Sequence, residues 1–289
     1  MIFRRFLAID WSGARDDQGK GLAGIQVASC EAGVKAPSLV ANPSGGSWRR
    51  TDVLSWLEDR ATDGEPILVG FDFAFSFPYC GGREYMPGLD TETPAELWRL
   101  VEDLSSDAPE LNGMPFILDP RFADSFWSSG RRPHSFSERH RETEVACRDQ
   151  DGGRPESVFK ILGPKQVGLG SLAGMRVLTR LTRLDGVSIW PFDEATSGLV
   201  CVEIFPRHFL MRARHGTRKV TTKENLDAAL AGFDCEFADL GDDAIDDHKT
   251  DALVSAAGLR YVAGSPEIWN PPSMSACARK HEGWIFGVV

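Results

Sequence analysis

No apolar run in these 289 residues approaches the roughly 18 needed to cross a membrane as a helix. The opening MIFRRFLAIDWSG offers only a very short apolar stretch before Asp10, so no signal peptide is expected. The six cysteines (Cys30, Cys80, Cys147, Cys201, Cys235, Cys277) form no CxxC pair, which removes local support for a cysteine zinc site. Their scatter along a chain of this length argues against a disulfide framework and for reduced thiols in a cytoplasm. No G-x-S-x-G occurs, no Cys/His dyad stands out, and no glycine-rich segment ends in the GKS/T of a P-loop. There is no internal repeat and no low-complexity tract. What remains is a cytoplasmic protein whose chemistry must come from acids, bases and ordinary polar groups.

The hydrophobic fraction of 42% and the charged fraction of 26% are those of a folded globular chain. The net charge of −10 argues at first against a nucleic-acid partner. Its distribution reverses part of that argument. Residues 121–220 hold 17 Lys/Arg against 11 Asp/Glu, a net of +6, while the rest of the chain carries −16. A basic island in an acidic protein is either an unevenly charged solvated surface or a face for phosphates.

Hydrophobic patterning gives an α/β order. Residues 6–10 (FLAID) suit a buried strand ending on an acid, and 22–28 and 34–40 complete a meander with it. Residues 51–60 have helical spacing, with Thr51 placed to cap them. Residues 67–71 form an apolar strand that delivers Asp72. Further helices are expected over 93–104, 172–184, 223–231 and 249–262, and a strand over 199–205. The tail WIFGVV is either an edge strand or a docked segment. Together these predict one domain, 1–289, with a mixed sheet of about five strands, the first three antiparallel, and helices on both faces. Residues 78–197 separate the strand before Asp72 from the strand at 199–205. They are expected to form a mostly helical or irregular insertion outside the sheet.

Four acids fall where an α/β sheet presents its functional groups. Asp10 and Asp72 end apolar strands, Glu203 lies in a third, and Asp251 sits in the first turn of the last long helix. Acids gathered there repel unless a cation joins them. Hard oxygen donors suit Mg²⁺ or Mn²⁺. Two such ions roughly 4 Å apart can activate water and stabilise the leaving oxygen of a phosphodiester. Each acid also has a plainer role open to it. Asp10 could cap the turn at Trp11–Gly13, and Asp72 could start a loop. Glu203 could pair with Arg207 or another base, and Asp251 could favour the helix dipole. Asp242, Asp243 and Asp246 suit solvent.

The motifs AIDWSGA (8–14), GFDFAFSFP (70–78), VEIFPRHF (202–209) and DDHKTDALVSAAGLRYVAG (246–264) occur in that order. RHRETE (139–144) and SVFKILGPKQVGLGSLAGM (157–175) lie between them. In this the chain resembles the family called domain of unknown function 429, a predicted nuclease group with a ribonuclease H-like fold. The resemblance spans nearly the whole chain. It implies a metal-dependent nuclease in which Asp10, Asp72 and Asp251 bind the metal and share the catalysis. Glu203 and Asp247 are the candidates for a further ligand. His248 forms with Asp251 an H-x-x-D pattern like that of Holliday-junction resolvases of the same superfamily, which makes it a catalytic candidate too.

In the basic island, Arg131, Arg132, Arg139, Arg141, Lys160 and Lys165 are the candidates for holding nucleic-acid phosphates. His134 and His140 lie among them, and Phe126, Trp127 and Phe136 are spaced to stack bases. Gly163, Gly168 and Gly170 precede a helix and could cradle a phosphate through backbone N–H groups. Two other functions compete. An actin-like or sugar-kinase-like ATPase would need a glycine-rich loop after Asp10, and Trp11-Ser12-Gly13-Ala14 is a poor one. A non-catalytic scaffold that binds nucleic acid or protein would show no metal-dependent turnover.

Overall fold

The computed structural model describes every residue except 1–2, 17–18, 129, 135, 164–166, 196–197, 215, 217–218 and 238–244. Its centre is a six-stranded sheet in the order β3-β2-β1-β4-β6-β5. The strands are β1 (Arg5–Asp10), β2 (Gln26–Glu31), β3 (Ser38–Leu39), β4 (Ile67–Phe71), β5 (Val187–Ile189) and β6 (Leu199–Glu203). Strands β1, β2 and β3 pair antiparallel, and β1, β4, β6 and β5 pair parallel. The parallel strands are apolar runs because both faces of the sheet are covered, which leaves no solvent side to demand alternation.

Helices cover the two faces. Leu7, Ile9, Val69, Phe71 and Cys201 pack on one side with α1 (Arg50–Asp63), α2 (Pro94–Ser105) and α5 (Gly168–Leu181). Phe6, Ala8, Leu68, Val200 and Val202 pack on the other with α6 (Pro206–Arg212), α7 (Lys223–Ala231) and α8 (Asp247–Val262). Short helices α3 (Met114–Leu118), α4 (Glu142–Asp149) and α9 (Pro266–Trp269) fill the periphery. Among the described residues no helix is long and apolar enough to cross a membrane.

Several expectations need correction. Strand β2 starts at Gln26, because Leu22 is held in a turn by Trp48 and Ile25 through backbone bonds. Helix α1 is not capped by Thr51. Asp52 closes its first turn by accepting from the Arg49 backbone and guanidinium, while the Thr51 hydroxyl bonds Glu110. The sheet has a sixth strand, β5, inside the segment expected to lie outside it. Val187–Ile189 is too short to show a period, yet it pairs in register with β6. Many described residues of 78–197 are packed. Phe116, Phe122, Phe126 and Phe159 are buried against one another and against Phe77, and join the α1/α2/α5 core.

The expectation of six reduced thiols is also overturned. Cys80 and Cys277 are disulfide-bonded, with Cα atoms 5.9 Å apart, across a sequence separation of 197. The C-terminal segment produces this proximity by docking back on the loop that leaves β4. Glu282 accepts from the backbones of Tyr79, Cys80 and Glu142, and the residues of WIFGVV bury against β6 and α6. The tail is therefore docked, and pairs with β6 at the Glu203–Ile285 bridge.

Candidate active site

Strand register brings the first two acids together. Ile9 lies opposite Phe71 in the parallel β1–β4 pair, and the Asp72 amide donates to the Ile9 carbonyl at 3.0 Å. Asp10 and Asp72 are thus neighbours at the carboxyl ends of adjacent strands. Side chains alternate along a strand. Asp10 shares the parity of Phe6 and Ala8, and Asp72 that of Leu68, so both fall on the face covered by α8. Helix α8 supplies Asp247, His248 and Asp251 at its first turn, with Asp246 as N-cap accepting from Lys249.

The carboxyl groups of Asp10 and Asp72 lie near enough for each to influence the other's charge. Burial raises the Asp10 pKa, opposed by its bond to His248. Burial first, then the charges of Asp10 and Asp251, pushes Asp72 well above the carboxylate range. Asp251 is raised to about 7, chiefly by burial and by Asp10, while Arg207, His248 and Lys219 pull it down. His248 Nδ1 lies 2.6 Å from Asp10 Oδ2, and that bond raises the imidazole pKa. Asp247 is paired with Lys219. Asp10, Asp72, Asp247, His248 and Asp251 line one cleft of about 940 Å³.

Among the described residues no set of three or more His, Cys, Asp and Glu side chains forms a ready-made cation cage. Asp10 and Asp72 are neighbours at adjacent strand ends, and Asp251 lines the same cleft. Without a cation, like charges hold a proton between them or keep apart. Two adjacent carboxylates, Asp10 buried and Asp72 half-buried, lining a cleft, still fit a Mg²⁺ or Mn²⁺ ion that takes one or two protein carboxylates, water and substrate phosphate.

Glu203 does not belong to this group. It shares the parity of Leu199 and Cys201, which pack on the opposite face. Its two oxygens accept from Arg141 at 2.5 and 2.7 Å, and one also accepts from the Phe75 amide. Arg141 is correspondingly no phosphate ligand. It is 1% exposed and also binds Glu144 and the Glu282 carbonyl.

The other expected phosphate ligands lie outside the cleft. Arg139 donates to the carbonyls of Pro78, Glu84 and Tyr85. Lys160 pairs with Glu156. Arg131 is exposed, and Arg132 lies over the Phe136 ring. Lys165, Asp242 and Asp243 fall outside the described residues. Phe126 and Phe136 are buried core residues, not stacking platforms. Gly168 is no phosphate cradle, since a Cβ there would stand 2.2 Å from the Val158 carbonyl and Ile161. It is a packing glycine at the start of α5. Gly170 meets Trp11, whose indole donates to its carbonyl.

The cations that line the acid cleft are Arg148, Arg154, Arg207 and Lys219. All four lie in the basic island, so the charge excess marked the right region. The local signal was Arg207, four residues beyond Glu203 at the start of α6. Comparison with known proteins finds no matching family model, no similar curated protein and no similar solved structure.

Proposed function

We propose that this protein is a metal-dependent nuclease of ribonuclease H-like fold, hydrolysing phosphodiester bonds in nucleic acid. The observation that carries the proposal is the placement of Asp10 and Asp72 at the ends of adjacent parallel strands, in a cleft they share with Asp251 and four cations. Three antiparallel strands followed by parallel ones, with the acids at the centre of the order, support the fold assignment. Asp10 and Asp72 would hold Mg²⁺ or Mn²⁺, with Asp251 the third acid. When bound, such an ion activates water and stabilises the leaving oxygen.

The chain's own groups supply the rest. His248 orients the Asp10 carboxylate through Nδ1 and, being half exposed, exchanges a proton with solvent. Arg207 and Lys219 offset the acids and attract the phosphate backbone. Buried Trp11 walls one side and limits water entry. A cleavage screen over DNA, RNA, hybrid and branched substrates with Mg²⁺ or Mn²⁺ tests the proposal, with Asp10→Asn and Asp72→Asn as inactive controls. Folded wild type that cleaves none of them, and whose melting temperature ignores both metals, would overturn it.

A further inference from the structure

Four cations, Arg148, Arg154, Arg207 and Lys219, line the same cleft as the acids. Arg207 and Lys219 lie close enough to Asp251 to pull its pKa down. Arg148 and Arg154 come from the end of α4 and the turn that follows it. That turn is built onto α6: Gly153, at φ +108°, lets the backbone approach so closely that a Cβ would stand 2.9 Å from Arg207 and 3.0 Å from the Phe205 ring. Half-buried Phe205 thus lies against the same turn as Arg207 and lines the same cleft.

Resting on the nuclease reading, we infer that Arg207, Lys219, Arg154 and Arg148 form a track for a single nucleic-acid strand, with Phe205 as a base-stacking surface. A charged groove that tracks the backbone, with an aromatic face for the bases, is how single strands are held without sequence readout. The cleft volume of about 940 Å³ is near the upper end of the roughly 300–1,000 Å³ typical of small-ligand sites. That admits a few nucleotides of one strand.

Binding in EDTA tests this without turnover. The probe is a fluorescein-labelled thymidylate strand of about ten nucleotides, with a hairpin duplex of equal length for comparison, titrated by fluorescence anisotropy over a salt series. The single strand should bind tighter than the duplex. With three or four phosphates neutralised, the slope of log K against log salt should be about −2 to −3, from roughly −0.7 per phosphate. Arg154→Gln should lower affinity roughly tenfold at low salt and flatten the slope by about 0.7. Phe205→Leu should weaken binding with the slope unchanged. Arg131→Gln, exposed and outside the cleft, should match wild type.

Equal or tighter binding of the duplex overturns the inference. So does an Arg154→Gln variant of unchanged affinity and melting temperature, or absence of strand binding at low salt. These outcomes are independent of cleavage. Loss of metal-dependent turnover with strand binding intact overturns the nuclease reading alone, and cleavage with no effect of Arg154→Gln overturns the track alone.

Discussion

Replacing Arg141 by Leu should cost this protein a large part of its stability, and more at high pH than at low. Arg141 holds two carboxylates, Glu203 and Glu144, all three at 3% exposure or less. Removing one partner of a buried ion pair typically costs about 3–5 kcal/mol, because the remaining charge is left without compensation. That is a serious fraction of a typical total of about 5–15 kcal/mol. In the variant the two buried carboxyls lose their compensating charge, which favours their protonated forms. The folded state then binds more protons than the unfolded chain, and stability falls as pH rises, by up to about 1.4 kcal/mol per pH unit per group. Urea unfolding followed by circular dichroism at pH 5 and pH 8 should show a loss near 3–5 kcal/mol at pH 8, and at least about 1 kcal/mol less at pH 5. Adding Glu203→Gln should recover part of the loss. A variant within about 1 kcal/mol of wild type, or one whose deficit ignores pH, would refute the buried role. An Arg141 that served substrate instead would leave stability intact and weaken binding only.

Asp10→Asn should leave the metal-free protein as stable as wild type or slightly more so, since it relieves repulsion with Asp72. It should also abolish the melting-temperature gain that saturating Mn²⁺ gives wild type, a gain worth about 2.7 kcal/mol at a hundred times Kd; calorimetry reads both. Burial holds the His208 pKa down at about 4, below an unfolded value near 6.5. Its contribution should be complete above pH 6.5 and decline as pH falls towards 4, by up to about 3 kcal/mol. In a pH series of denaturant midpoints, His208→Gln should lose that component of the acid slope. Reducing Cys80–Cys277 should lower stability by about 2–4 kcal/mol, as expected for a crosslink closing a long loop. A Cys80→Ser variant should show the same deficit and no response to reductant.

The sequence located β1, β4, β6, α7 and α8 closely, since each is an uninterrupted apolar or helical pattern whose local preference agrees with its place in the fold. It also placed Asp10, Asp72, Asp251 and His248 in one region, because strand ends and helix starts are visible as transitions in hydrophobicity. Where local patterns were short it lost precision: β5, of three residues, was missed, and β3 covers only two residues of the strand expected over 34–40. It also assigned the wrong arginines to the cleft. Charge composition identifies a basic island, but not which of its guanidiniums the fold buries.

What the sequence determined by itself is therefore the α/β class and the order of its strongest elements, because periodicity is a property of neighbouring residues. Three things were decided only by tertiary structure. Strand parity turned Glu203 to the face opposite Asp10 and made it the anchor of Arg141. Docking of the C-terminal segment brought Cys277 to Cys80 across 197 positions. The turn at Gly153, packed on Phe205 and Arg207, set Arg154 beside the acids. Each joins residues far apart in the chain, and contacts of that kind leave no mark in the spacing of near neighbours.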